Sequence, residues 1–179
     1  MTELEKLFGL KGKVAFVTGP SSGLSREAAV ALAKAGAKLG LVARRRERLE
    51  ELAEELKCYE TVCCVAPADV TDREQLEVAY QAVEKELGPI DIAVHGAGIA
   101  PLSRAEKHSK QKWDDCLALN LTAAFEVSQV AAQHMIPRKQ GGCIIHISSA
   151  VGAGGNPVHR AVGYSASKGG LNNLVRHLA

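Results

Sequence analysis

Tyr164-Ser165-Ala166-Ser167-Lys168 places a phenol and an ammonium four residues apart, which on a helix is one face. A free phenol titrates at about pH 10 and is a poor base at neutrality, but a neighbouring cation favours the phenolate. A phenol tuned in that way can give a proton to a nascent alkoxide or take one from an alcohol. The same spacing occurs on any solvated helix, so the pair gains meaning from its company. Ser148 and Ser149 end an apolar, strand-like run and could offer a hydroxyl to a substrate carbonyl. Asn120 stands inside a helical run, where asparagine is a poor former. It has two readings: a polar task such as holding a water, or a side chain facing solvent.

A second group of residues suits an anion. Thr18-Gly19-Pro20-Ser21-Ser22-Gly23-Leu24-Ser25 lies between an apolar run and a helical period. Glycines there let backbone N–H groups approach a phosphate, and the helix start adds partial positive charge. A dinucleotide pyrophosphate suits such a turn, although its spacing differs from G-x-G-x-x-G. The plain alternative is a strand-to-helix turn with a serine cap. The next apolar run ends in Ala43-Arg44-Arg45-Arg46. An acid at that place commonly bonds a ribose 2′-hydroxyl, whereas an arginine accommodates a 2′-phosphate. Cations at a helix start oppose the macrodipole, which favours NADP(H) over NAD(H) as the coenzyme; pairing with Glu47, Glu50 and Glu51 is the other reading. Asp69, in Ala68-Asp69-Val70, is open to an adenine contact or to stabilising its own turn.

These residues need a scaffold that alternates strand and helix. Strands are expected at 14–17, 39–43, 61–66, 90–94 and 143–147, from short apolar runs bounded by turn residues. Helices fall between them: one closed by Gly36, one carrying Leu49, Leu52 and Leu56, and one opened by a capping box at Thr71–Glu74 and broken at Gly88-Pro89. A long helix runs from near Trp113 to Ile136, closed by Pro137, and a last helix starts near Val162. Parallel neighbours need helical crossovers, so the pattern implies a doubly wound α/β sheet in the order 3-2-1-4-5. The turns after strands one, four and five would line a crevice at the switch point.

Bulk properties exclude other classes. The 179 residues suit one domain, and 46% hydrophobic with 23% charged residues is ordinary globular composition. A net charge of +2 with interleaved signs argues against nucleic acid. No apolar run approaches a membrane span, which takes about 18 residues or more. Five cysteines without C-x-x-C spacing, and an acidic start (MTELEKLF), imply free thiols and a cytoplasmic protein. Cys63 and Cys64, adjacent on a strand, should face opposite sides, and His95 has no second metal ligand spaced to join it.

With these pieces in order, the chain resembles the short-chain dehydrogenase/reductase family from about Leu10 onward. The resemblance rests on the TGxxxG turn at Thr18–Gly23, Asp69-Val70, Trp113-Asp114 with Asn120-Leu121, Ile147–Ser149 and the YxxxK of Tyr164–Lys168. It implies a Rossmann-like fold and hydride transfer between a nicotinamide coenzyme and a carbonyl or secondary alcohol. By this resemblance Tyr164 is the general acid/base and Lys168 tunes it and holds the nicotinamide ribose. Ser149, or Ser148, orients the substrate oxygen, and Asn120 positions a relay water. Gly19, Ser21, Ser22, Gly23, Leu24, Arg44, Asp69, Val70, His95 and Gly96 border the coenzyme, and no metal is expected.

Three departures stand out. Ser25 replaces the family's glycine, which would set a side chain beside the pyrophosphate; His95 and Gly96 replace its two asparagines; and the family's last strands have no counterpart by Ala179. Residues 1–179 thus read as one dinucleotide-binding domain, incomplete at its C-terminus, that forms homo-oligomers through the long and last helices. Truncation of the polypeptide itself at Ala179 would leave strand five as an open edge and predicts weak turnover and a tendency to associate. A catalytically silent dinucleotide-binding fragment or interaction module is the alternative, and a non-redox enzyme on the same fold has no feature in its favour.

Overall fold

Alternation along one buried strand builds the layers. The computed structural model describes residues 7–154 and 160–179, and in it every residue of β1 (Val14–Thr18) is buried. Val14 and Phe16 face one apolar cluster, while Ala15 and Val17 face the other. The first cluster is completed by α3 (Arg73–Leu87) and α5 (Ala123–Arg138), the second by α1 (Gly23–Lys34) and α2 (Arg46–Leu56). β2 (Lys38–Val42), β3 (Cys63–Val65), β4 (Ile92–His95) and β5 (Cys143–His146) join β1 in one parallel sheet, ordered β3-β2-β1-β4-β5. This is the expected doubly wound sheet. Cys64 lies in the first cluster and Cys63 packs against the second, as adjacent strand positions must.

Strand bounds shift by a residue or two from the expected ones, and three helix termini differ in kind. Asp72, not Thr71, caps α3: its carboxylate accepts from the Gln75 N–H at 3.1 Å, and Gln75 Nε2 returns a bond at 2.8 Å. The N-cap therefore sits one residue later than the Thr–Glu spacing suggests, and both bonds run to the Asp72 carboxylate, so the reciprocal backbone bond of a capping box is not made. The long helix begins earlier, as α4 (Lys110–Leu117) capped by Ser109, and passes through a π-helical segment, Ala118–Thr122, before α5. Pro137 does not close α5. The helix continues to Arg138, whose guanidinium donates to the Ile90 carbonyl at 2.6 Å, and Lys139 at φ 54° ends it. The last helix, α6, spans Val162–Leu178, and residues 155–159 of the loop before it lie outside the described residues.

Candidate active site

Strand register brings the chemistry together. Thr18 pairs with His95 and His95 with His146 at the carboxyl ends of β1, β4 and β5. The loops leaving those ends line a cavity of about 1020 Å³. Gly19 adopts φ +73° and packs so closely that a Cβ would lie 2.6 Å from Ala97 Cα. Gly23, at φ +63°, opens α1. Ser22 takes the N-cap position without a capping side-chain bond, and the first turn holds no acid. The first N–H groups of α1 therefore have no serine side-chain cap, and Ser21, Ser22 and Leu24 stand on the same wall.

Arg44 and Arg45 border the cavity beyond β2, with Asp69 and Val70 beyond β3. Arg45 Nη2 donates to Ser21 Oγ at 3.3 Å, and Arg44 Nη1 lies 3.8 Å from Asp69 Oδ2. Asp69 does stabilise its turn, accepting from both the N–H and the hydroxyl of Thr71 at 3.0 and 2.7 Å. An exposed pair such as Arg44–Asp69 contributes little to stability, so the guanidinium is free in energetic terms to meet another anion.

At the opposite end, α6 presents Tyr164 and Lys168 to the same cavity. Lys168 is 5% exposed; its Nζ lies 5.8 Å from the Tyr164 ring centroid and donates to the Ile147 carbonyl at 2.6 Å. Burial holds this ammonium below the ordinary lysine range. Asn120 is fully buried in the π-helical segment, so the solvent-facing reading fails. Its Oδ1 accepts from the Ile99 N–H, and its Nδ2 donates to the Ile99 carbonyl, each at 2.9 Å, and to Ser167 Oγ at 3.0 Å. With its amide engaged by protein, this side chain clamps the loop after β4, and its Oδ1 keeps one lone pair for a further donor. Ser148 lines the cavity and donates to Asn172 Oδ1 at 2.5 Å. Ser149 is absent from that lining; it caps a short 3₁₀ turn, with its hydroxyl 3.4 Å from the Val151 N–H.

His95 departs from expectation. It is 1% exposed, does not line the cavity, and bonds the Thr18 hydroxyl through Nδ1 at 3.0 Å. It sits beneath the cavity instead of on its border, because its side chain projects to the α3/α5 side, where His146 lies with ring centroids 5.8 Å apart. Among the described residues no cluster of metal-ligating side chains occurs. Ser25 lines the cavity but is only 3% exposed: its hydroxyl donates to the Thr18 carbonyl at 2.7 Å and abuts Gly96. Ser167 and Cys116 accept from the Asn120 amide, and neither is a site candidate from sequence. Ser167 sits inside the YxxxK run, and that was the available signal.

A family model described as short chain dehydrogenase matches residues 13–179. The chain belongs to the short-chain dehydrogenase family. Gluconate 5-dehydrogenase of Gluconobacter oxydans is 36% identical over 173 residues, covering 97% of this chain and 66% of its own length. A short-chain type dehydrogenase/reductase from Mycobacterium marinum superposes with a TM-score of 0.95 at 31% identity, over 99% of this chain and 70% of that one. Actinorhodin polyketide ketoreductase with NADPH gives 0.88 at 31% identity, over 93% and 63%. This short-chain dehydrogenase sequence thus spans about two thirds of the length of the curated relatives it matches.

Proposed function

We propose that this short-chain dehydrogenase moves hydride between NADP(H) and a ketone or secondary alcohol, with Tyr164 as general acid/base. The observation that carries this is the placement of Tyr164 and Lys168 on one wall of the cavity whose far end is the Gly19–Gly23 turn. The turn fits a pyrophosphate: two positive-φ glycines, an uncapped helix start and no acid in its first turn. The nicotinamide supplies or accepts the hydride when bound. Tyr164 gives the proton to the forming alkoxide or removes it from the alcohol. Lys168 holds positive charge beside the phenol, and Ser149, by the family resemblance, orients the substrate oxygen, although Ser148 is the serine that lines the cavity. A sugar-acid or small ketone is the substrate class, which the gluconate 5-dehydrogenase relative supports.

The test is a fluorescence titration with NADPH, then NADPH oxidation over a panel of sugar-acid and small ketones. Tight coenzyme binding with ketone-dependent oxidation is expected; no binding at all would sink the reading. NADP(H) preference rests on Arg44 and Arg45 at the cavity border with no acid at the end of β2. Arg44→Ser should weaken NADPH roughly 10- to 100-fold, the worth of a charge-assisted bond to phosphate, and leave NADH nearly unchanged. Equal losses for both coenzymes would contradict it. Among the serines, Ser149→Ala should lower turnover by at least about tenfold more than Ser148→Ala, the loss of one oriented donor. The reverse ranking would move the role to Ser148.

Other features support the remaining expectations. An apolar groove of about 390 Å³, lined by Phe125, Ile136, Pro137 and Leu178, offers a face for association through α5 and α6. All five cysteines are free thiols, in keeping with a cytoplasmic setting. Among the described residues no helix is long and apolar enough to cross a membrane.

A further inference from the structure

We infer that Ser25 and Gly96 act as one interlocked positioning element that sets the phosphate turn against the strand leading to Lys168. The inference rests on the coenzyme reading above. Gly96 has no positive φ, so its backbone does not demand glycine; the space around it does. A Cβ there would stand 2.6 Å from Ser25 Oγ, 2.7 Å from Ser25 Cβ and 2.8 Å from Ile147 Cδ1. The Ile147 atom is the tip of a flexible side chain and can move, whereas Ser25 Cβ is fixed to the first turn of α1. The hydroxyl is fixed as well. The Thr18 carbonyl accepts from Ser25 Oγ at 2.7 Å and from the Gly96 N–H at 3.3 Å, so one oxygen ties α1, β1 and β4 together.

That tie lies between the two halves of the cavity. On one side Thr18 leads into Gly19 and the helix start that fits a pyrophosphate. On the other, Gly96 leads to Gly98, where a Cβ would lie 3.9 Å from Lys168 Nζ, and it packs on Ile147, whose carbonyl holds Lys168. Ser25 fills the space that Gly96 leaves. A side chain at either position is tolerated only if the other gives way, and the two departures from the family pattern compensate each other.

A double-substitution cycle tests this, with NADPH and 2′-AMP as probes. The latter should engage the Arg44 end and lacks the pyrophosphate and nicotinamide. Ser25→Gly should weaken NADPH roughly tenfold by removing one buried hydrogen bond. Gly96→Ala should weaken it by at least about that much, through overpacking that displaces α1. With Ser25→Gly already present, adding Gly96→Ala should change the affinity by less than about threefold, because the clash is gone. Ser25→Ala should fail to rescue Gly96→Ala, since the Cβ remains. Affinity for 2′-AMP should stay level throughout. Multiplying losses in the double variant, or 2′-AMP falling in parallel with NADPH, overturns the inference. If Gly96→Ala does not fold, the double variant regaining a cooperative urea transition carries the same test, and its failure to regain one is a refutation. A wild type that binds no NADPH would instead remove the coenzyme reading, and the inference with it.

Discussion

Replacing Tyr164 with phenylalanine is expected to lower ketone-dependent NADPH oxidation by roughly 10²–10⁴-fold, the usual worth of a general acid or base. Coenzyme affinity should change only a few-fold, because the ring stays on the wall of the cavity and only its oxygen is lost. The size of the effect follows from what else stands at that end. Lys168 is a buried cation already committed to the Ile147 carbonyl, and Asn120 is bonded to Ile99 and Ser167. Arg44 and Asp69 sit beyond β2 and β3, at the far side of the sheet from α6. Among the described lining residues Tyr164 is the one phenol, and Asp115, on the same lining, already accepts from Gln111 Nε2 at 2.6 Å. Turnover by Tyr164→Phe within about tenfold of the wild type would remove the acid/base role, whatever the coenzyme titration says.

How much of this was legible depended on whether a local pattern or a spatial neighbour decided the matter. Periodicity located all five strands and their helices because each buries a face against the sheet, and burial at regular spacing leaves a trace in sequence. The Gly19–Gly23 turn and the Tyr164–Lys168 pair were legible for a similar reason, since contiguous residues carry them. Asn120 stands out as a poor helix former and through the family resemblance; its contacts with Ile99 and Ser167 lie 21 and 47 residues away, and spacing does not reveal them. Ser25 and Gly96 looked like two independent departures for the same reason. His95 is expected at the coenzyme border because it replaces one of the family's asparagines, yet alternation at the end of β4 turns its ring into the α3/α5 side. Thr71 is the expected cap because Glu74 follows it at capping-box spacing; Asp72 takes the role because its carboxylate accepts from the Gln75 N–H.

The buried histidine has a consequence of its own for stability. His95 is held neutral by burial, with His146 and Lys168 adding repulsion, and its pKa is pushed down from 6.5 to about 3. His146, facing it, is lowered in the same direction by burial and by Lys168. Unfolding releases both rings to water, where they bind protons at ordinary pH values for histidine. Between the unfolded and folded pKa values the unfolded chain therefore holds more protons, so stability is full above the unfolded value of 6.5 and is lost as pH falls toward 3. Each such ring steepens the loss by up to about 1.4 kcal/mol per pH unit. His95→Asn keeps a polar partner for the Thr18 hydroxyl and removes one titrating group. Urea midpoints from about pH 7.5 down to about pH 5 should fall less steeply in this variant, by up to one proton's worth of slope. The window matters because Asp72, lowered chiefly by its bond from the Gln75 N–H, also costs stability on acidification, but only where carboxylates protonate. Identical slopes for the two proteins would mean that the His95 ring binds its proton equally well folded and unfolded, and would remove the burial argument.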